Sequence, residues 1–353
     1  MQAPSESSID VRAWLLWGAA ASLPLITGRH PLILLELLII VIVVRSVCLP
    51  AQGRQGCGWL LRVATIAVPI GVLFNMMTVH VGEQRLFTIP DRVPIIGGAV
   101  TWNAAAYGLL SGLSIVVLVA VGTTVAAAIE WTALMRLLPN RAGGLAVAGS
   151  VAWSFLPQLA RSWREIRETQ ATRGHQWRGV RDFVPLMVPL LAGGLDRSVT
   201  TAEVLEARGF GVRAASNRVD RFEALTVIAA LTLAVAGLYL LAVGEAMTSL
   251  GIMGLCVAMV IGLVWSGRGN ACPGATCYRR TAWTGRDTAI TVGALIPLVT
   301  IATALQLAPE SLRYDPYPDL TFPQTQPVIV LLLAALVIPA IVAPHSGNQV
   351  MKR

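Results

Sequence analysis

The sequence predicts an all-α fold: a polytopic membrane helix bundle that carries a pair of helices on its cytoplasmic side. Three observations point there. Hydrophobic residues make up 55% of the 353-residue chain and charged residues only 13%, against roughly 25% charged in a soluble domain. Apolar runs recur at the ~20-residue length that a bilayer core demands. About half of the 27 Lys and Arg residues are gathered in 130–221, where they alternate with acids between oily segments. That alternation argues against nucleic acid as the partner of the net charge of +8; the positive-inside bias of membrane proteins accounts for most of the excess.

Eight segments meet the length and composition of a span: 11–27, 31–48, 59–79, 104–128, 222–243, 247–265, 288–307 and 328–342. Backbone groups in lipid are satisfied within the segment, so each is expected to be helical. The first reads as an uncleaved span rather than a removed signal peptide, because Glu6 and Asp10 precede it and a second apolar segment follows at once. Two further stretches are apolar but are not counted. The run 142–160 is flanked by Arg136 and Arg141 at one end and by Arg161, Arg164 and Arg167 at the other. The run 183–195 is short and holds Pro185, Pro189, Gly193 and Gly194. Both are expected to lie at the membrane surface or under the bundle. The chain then divides into N-terminal transmembrane helices (1–129), a cytoplasmic or interfacial region (130–221), one following helix (222–246) and additional C-terminal transmembrane helices (247–353).

With 130–221 cytoplasmic, span parity places the N-terminus inside, together with Arg45, Arg54, Arg62, Arg268, Arg279, Arg280, Arg286 and Lys352-Arg353. Glu83 to Arg92 and the acidic loop with Glu310, Asp315 and Asp319 fall outside. Every loop obeys the Lys/Arg bias. Counting either doubtful stretch alone as a span would invert the loops beyond it.

Little chemistry is buried in the spans. Glu36 is the acid near the middle of one, and Asn75 and Gln306 are polar but neutral. An intramembrane carboxylate is either a coupling group of a secondary transporter or a protonated or hydrogen-bonded side chain in the bundle interior. His30, His80, His175 and His345 are scattered, which speaks against a polytopic membrane enzyme with a clustered site. Cys48, Cys57 and Cys256 are isolated, and Cys272 with Cys277 supplies only half of a zinc-type spacing. No metal site is expected. No Gly-x-x-x-x-Gly-Lys-Ser/Thr phosphate loop is present, so no nucleotide is expected on this chain.

The distinctive residues lie in 130–221. Thr172-Arg173-Gly174 follows Glu168 and Gln170, and Ala207-Arg208-Gly209 follows Glu203 and Glu206. Charged helix formers precede each triplet. An Arg in a last helical turn meets the negative end of the helix dipole, and a Gly just beyond it closes the helix in the left-handed conformation. The Arg side chains would project past the helix ends as planar forks suited to carboxylates or carbonyls. A short internal repeat accompanies them. Phe155-Leu156-Pro157, Arg161-Ser162 and Arg173-Gly174 parallel Phe183-Val184-Pro185, Arg197-Ser198 and Arg208-Gly209.

The segment from Glu168 to Gly174, followed by Ala202-Glu203-Val204-Leu205-Glu206-Ala207-Arg208-Gly209-Phe210-Gly211, resembles the transmembrane (T) component of energy-coupling-factor (ECF) transporters. That family includes membrane subunits of cobalt and nickel uptake systems. The resemblance covers roughly 11–243; Thr172 stands where Ala is usual, and the spans after 247 exceed the family pattern. It implies that the two Arg-bearing helices are coupling helices, each docked on one of two ATP-binding-cassette (ABC) ATPase subunits. Arg173 and Arg208 would be the docking arginines, Gly174 and Gly209 their helix ends, and Thr172, Glu206 and Ala207 their flanks. It further implies a small substrate-binding S component held on nearby apolar surface, for which Phe155, Leu156, Pro157, Pro185, Leu186 and Pro189 are candidates. ATP and Mg would bind the partner subunits, no cofactor this chain. The expected setting is a bacterial cytoplasmic membrane, and the expected task is uptake of a vitamin or transition-metal ion.

Overall fold

A computed structural model describes residues 9–49, 57–82, 84–89, 98–135, 137, 143–174, 184–209, 221–243, 248–268, 283–318 and 320–342. The elements in chain order are α1 (Val11–Thr27), α2 (Pro31–Cys48), α3 (Cys57–Thr78), β1 (Arg85–Ile89), β2 (Gly98–Thr101), α4 (Trp102–Ala128), the short α5 (Trp131–Met135), α6 (Gly143–Thr172), α7 (Val184–Ala207), α8 (Arg221–Val243), α9 (Thr248–Arg268) and α10 (Gly285–Leu307). A 3₁₀ turn (Pro309–Ser311), α11 (Pro327–Leu333), a second 3₁₀ segment (Ala334–Val337) and α12 (Ile338–Val342) follow among the described residues. The chain forms two units. One comprises 1–130, 229–263 and 272–353; the other comprises 131–228 and 264–271.

Among the described residues four helices are long and apolar enough to cross a membrane: α2, α3, α4 and α10. Helices occupy the other four segments read as spans, but their qualifying apolar stretches are shorter: α1, part of α8, part of α9, and the run from Pro327 to Val342. The fold is mostly helical, as the sequence predicts, with one addition: β1 and β2 pair antiparallel, from Arg85↔Thr101 to Ile89↔Gly98 with an irregularity between Arg85 and Phe87. The β-branched and aromatic residues of Phe87-Thr88-Ile89 and Val100-Thr101 favour strands, a signal that a search for ~20-residue apolar windows passes over. From Gly143 and Val184 onward, the two uncounted apolar runs form the N-terminal parts of α6 and α7, which continue unbroken past Pro157 and Pro189.

The core of the first unit is built on α1, whose faces are buried against α4 and α10. Its start is fixed by capping. Asp10 accepts the Arg12 N–H at 2.9 Å, satisfying one of the four donors a helix start leaves free. The Asp10 N–H in turn donates to Asp287 Oδ1 at 2.8 Å. Asp287 closes the first turn of α10 by accepting from Thr284 N at 2.8 Å and Thr284 Oγ1 at 2.6 Å. The two helices are thus joined start to start. At their other ends the chain after α1 meets the chain after α10 so closely that a Cβ on Gly28 would lie 1.9 Å from the Leu312 carbonyl oxygen. They run parallel. Trp17, fully buried, donates its indole N–H to the Leu336 carbonyl at 2.9 Å, so the C-terminal segment also belongs to this core.

Helices α3 and α4 meet through small residues. A Cβ on Gly108 would sit 2.5 Å from the Gly71 carbonyl oxygen, and one on Gly112 would sit 2.7 Å from Val68 Cα. This Gly-x-x-x-Gly stripe lets the two backbones touch, as in close membrane helix pairs. Away from the stripe α3 is open, with Ile66, Ile70, Leu73 and Phe74 exposed. Arg45, read from sequence as one of the cytoplasmic charges, is buried in the last turn of α2 and donates to Thr123 Oγ1 and Thr124 Oγ1 of α4.

The loops beyond these helices interlock at one end of the unit. Asn103, at the start of α4, donates through Nδ2 to the Pro316 and Pro318 carbonyls at 2.6 Å each. Tyr107 stands 6.0 Å from Tyr317, and the Arg29 guanidinium lies 4.7 Å over the Tyr107 ring. His30 is buried against Tyr314. Burial holds its pKa below the usual histidine value.

Candidate functional site

The second unit carries the residues that the sequence singles out. Helix α6 runs 30 residues and α7 runs 24. Both open on apolar sequence and end on charged sequence, so each joins an oily half to a solvated half. The stacked rings of Trp131 and Trp153, 4.8 Å apart, hold the short α5 against α6, and Met135 Sδ packs near Gly149.

The two helix ends are alike in detail. At the end of α6 the Arg173 N–H donates to Thr169 O at 3.3 Å and the Gly174 N–H to Ala171 O at 3.0 Å. At the end of α7 the Arg208 N–H donates to Val204 O at 3.2 Å and the Gly209 N–H to Glu206 O at 2.8 Å. Gly174 has φ +83 and Gly209 has φ +76, the left-handed region that glycine enters without strain. Among the described residues, apart from the flanking chain, no heavy atom lies within 4 Å of where a Cβ would stand at either position, so the need for glycine is conformational rather than steric. Thr172, Arg173, Glu206, Ala207 and Arg208 are all exposed.

The departure at Thr172 has a local account. Its hydroxyl folds back onto its own helix and donates to Thr169 O at 2.8 Å, as Thr169 does to Glu165 O. The cap of α6 therefore matches that of α7 despite the different residue before the Arg.

The apolar candidates divide. Leu156, Pro157 and Pro189 are exposed, Phe155 is half-buried, and Leu186 is buried at 1% exposure; the side chain of Pro185 lies outside the described residues. Phe155 to Pro157 and Pro185 to Pro189 sit in the apolar halves of α6 and α7, well before the Arg-Gly ends. His175, Arg178, His345, Cys272 and Cys277 lie outside the described residues. Glu36 is half-buried in α2, and its Oε2 has no hydrogen-bond partner among the described residues. Among the described residues no group of three or more His, Cys, Asp and Glu side chains is placed to hold a metal ion.

Sequence reasoning missed one contact. Arg197 Nη2 of α7 donates to Ser162 Oγ of α6 at 3.1 Å. Both residues belong to the short repeat, but the repeat aligns Ser162 with Ser198, whereas the fold pairs it with Arg197.

Several membrane-compatible helices and two exposed, Arg-ended helices in a separate unit define a multi-span membrane protein. Residues 5–220, more than half of the chain, match the family described as CbiQ, Cobalt transport protein. The chain belongs to this family, the transmembrane T component of ECF transporters, and is a membrane component of cobalt/ECF transport. No curated protein matches it. The family match ends before α8, yet the core of the first unit also takes in Ile252, Ala294, Leu298, Ile301, Leu333 and Leu336.

Proposed function

We propose that this chain is the transmembrane coupling subunit of an ATP-driven ECF-type importer, passing the movements of two ABC ATPase subunits to a substrate-binding S component. The observation that carries the reading is the pair of matched helix ends: an exposed Arg beside a positive-φ Gly, built twice from the same backbone hydrogen bonds. An Arg at such an end offers a fixed fork of donors to a carboxylate or carbonyl groove. Arg173 and Arg208 are the docking residues, with Thr172, Glu206 and Ala207 beside them. ATP and Mg bind the partner subunits. The S component rests on the exposed apolar surface that includes Leu156, Pro157 and Pro189, and it selects the cargo, a vitamin or a transition-metal ion such as cobalt.

The orientation proposed places the N-terminus and both Arg-Gly ends on the cytoplasmic side. The parallel course of α1 and α10 calls for an odd number of crossings between them, as the reading of eight spans has. One extra crossing contributed by α6 or α7 alone would make them antiparallel.

Co-purification of the ATPase subunits with the membrane complex tests the reading. Arg208→Glu is expected to lower their retention and the Arg173/Arg208 double variant to abolish it. Full retention in both would remove the docking assignment.

A further inference from the structure

Two contacts between α6 and α7 share one shift in numbering. Ser162 and Arg197 are 35 positions apart. The same shift carries Leu159 to Gly194, and a Cβ on Gly194 would lie 3.9 Å from Leu159 Cδ2. It also carries Arg173 to Arg208 and Gly174 to Gly209. When two helices are related by a two-fold axis, a residue meets its own equivalent only on that axis. Two successive self-equivalent contacts, with matched ends beyond them, therefore mark a local pseudo-two-fold through Leu159/Gly194 and Ser162/Arg197. The arms from Ser162 to Gly174 and from Arg197 to Gly209 are equal, about 18 Å each at ~1.5 Å per residue.

The chemistry at the crossing singles out one polar tie. Gly194 presents no side chain to Leu159, so no interlocking side chain there sets the angle of the two helices. The hydroxyls of Ser198 and Thr201 fold back onto their own helix, to Leu195 O and Arg197 O. Ser162 Oγ instead receives the guanidinium of the facing helix.

We propose that Arg197 and Ser162 are positioning residues, the pin of two equal levers, which fixes the spacing of the Arg-Gly tips so that they meet a two-fold-symmetric pair of subunits as a matched set. The tips then stand no more than about 36 Å apart, twice the arm length. The partner rests on the function proposed above; the pin is a property of this chain and is measured without the partner.

The test places spin labels at Glu168→Cys and Glu203→Cys, exposed equivalents on the two arms, in the full chain with its native cysteines replaced. Their distance distribution is read in lipid nanodiscs by pulsed electron paramagnetic resonance. One narrow distance is expected with the pin intact. Arg197→Ala and Ser162→Ala should each at least double its width, and Arg197→Lys, which keeps a donor, should recover part of the narrowing. In the assembled transporter Arg197→Ala should cut substrate uptake at least fivefold while the ATPase subunits stay bound. An unchanged distance distribution in both alanine variants overturns the pin, whatever the Arg208→Glu retention result. A broadened distribution with full ATPase retention in the Arg173/Arg208 double variant supports the pin and refutes the docking reading.

Discussion

Replacing Asp287 by alanine should loosen the join between the N-terminal and C-terminal parts of the first unit. Asp287 is 2% exposed and accepts three hydrogen bonds, from Asp10 N, Thr284 N and Thr284 Oγ1. Alanine leaves two backbone N–H groups and a hydroxyl without their acceptor. At roughly 1–1.5 kcal/mol for each bond, the loss is on the order of 3–4 kcal/mol. At ~2.1 cal/mol/K of unfolding entropy per residue, that corresponds to a fall in Tm of roughly 4–5 °C for the 353-residue chain. Asp10→Ala is the matched control. It removes the cap to Arg12 N but keeps the Asp10 backbone N–H that reaches Asp287, so it should cost only about 1 kcal/mol. The assay is thermal unfolding of the purified protein in detergent, followed by loss of the monodisperse peak on size exclusion. If Asp287→Ala shifts Tm no further than Asp10→Ala, the start-to-start join of α1 and α10 does not hold the unit together.

Gly108→Leu should lower Tm through overpacking, costing about 1–3 kcal/mol, because its Cβ would meet the α3 backbone at 2.5–2.6 Å. Gly122→Leu on the same helix faces open space and should leave the Tm unchanged. Burial lowers the pKa of His30 in the fold. The unfolded ring takes up a proton near its ordinary value of 6.5, so stability should be full above that pH and fall as the pH drops below it; His30→Gln should flatten that part of the profile. A cysteine at Glu168, exposed near the end of α6, should react with a membrane-impermeant thiol reagent only from the cytoplasmic side, and labelling from outside would reverse the proposed orientation.

Much of the fold was legible because lipid imposes simple rules. All eight apolar runs coincide with helices, and α1 and α2 begin and end where hydropathy places them, since backbone saturation leaves few other choices. The Arg-Gly triplets were legible as helix ends for a similarly local reason: glycine supplies the left-handed residue that closes a helix. The hairpin was not, because Phe87-Thr88-Ile89 and Val100-Thr101 are too short to stand out beside long apolar segments. The unbroken length of α6 and α7 was hidden by their change from apolar to charged sequence, which reads as a boundary while the backbone continues. The joining of α10 and the C-terminal run to α1 rests on Asp287, Trp17 and Leu336, contacts between distant positions that no local pattern announces. The Arg197–Ser162 contact lay one residue away from the alignment that the Arg-Ser motifs invite.

The central claim is that the Arg-Gly ends of α6 and α7 dock the ATPase subunits. Its most direct test is the ATPase content of the membrane complex purified through this chain. Wild type should retain both ATPase subunits, Arg208→Glu should retain them weakly, and the Arg173/Arg208 double variant should lose them while its Tm stays within about 1 °C of wild type, as expected for exposed surface substitutions. A double variant that keeps its full complement of ATPases would contradict the claim.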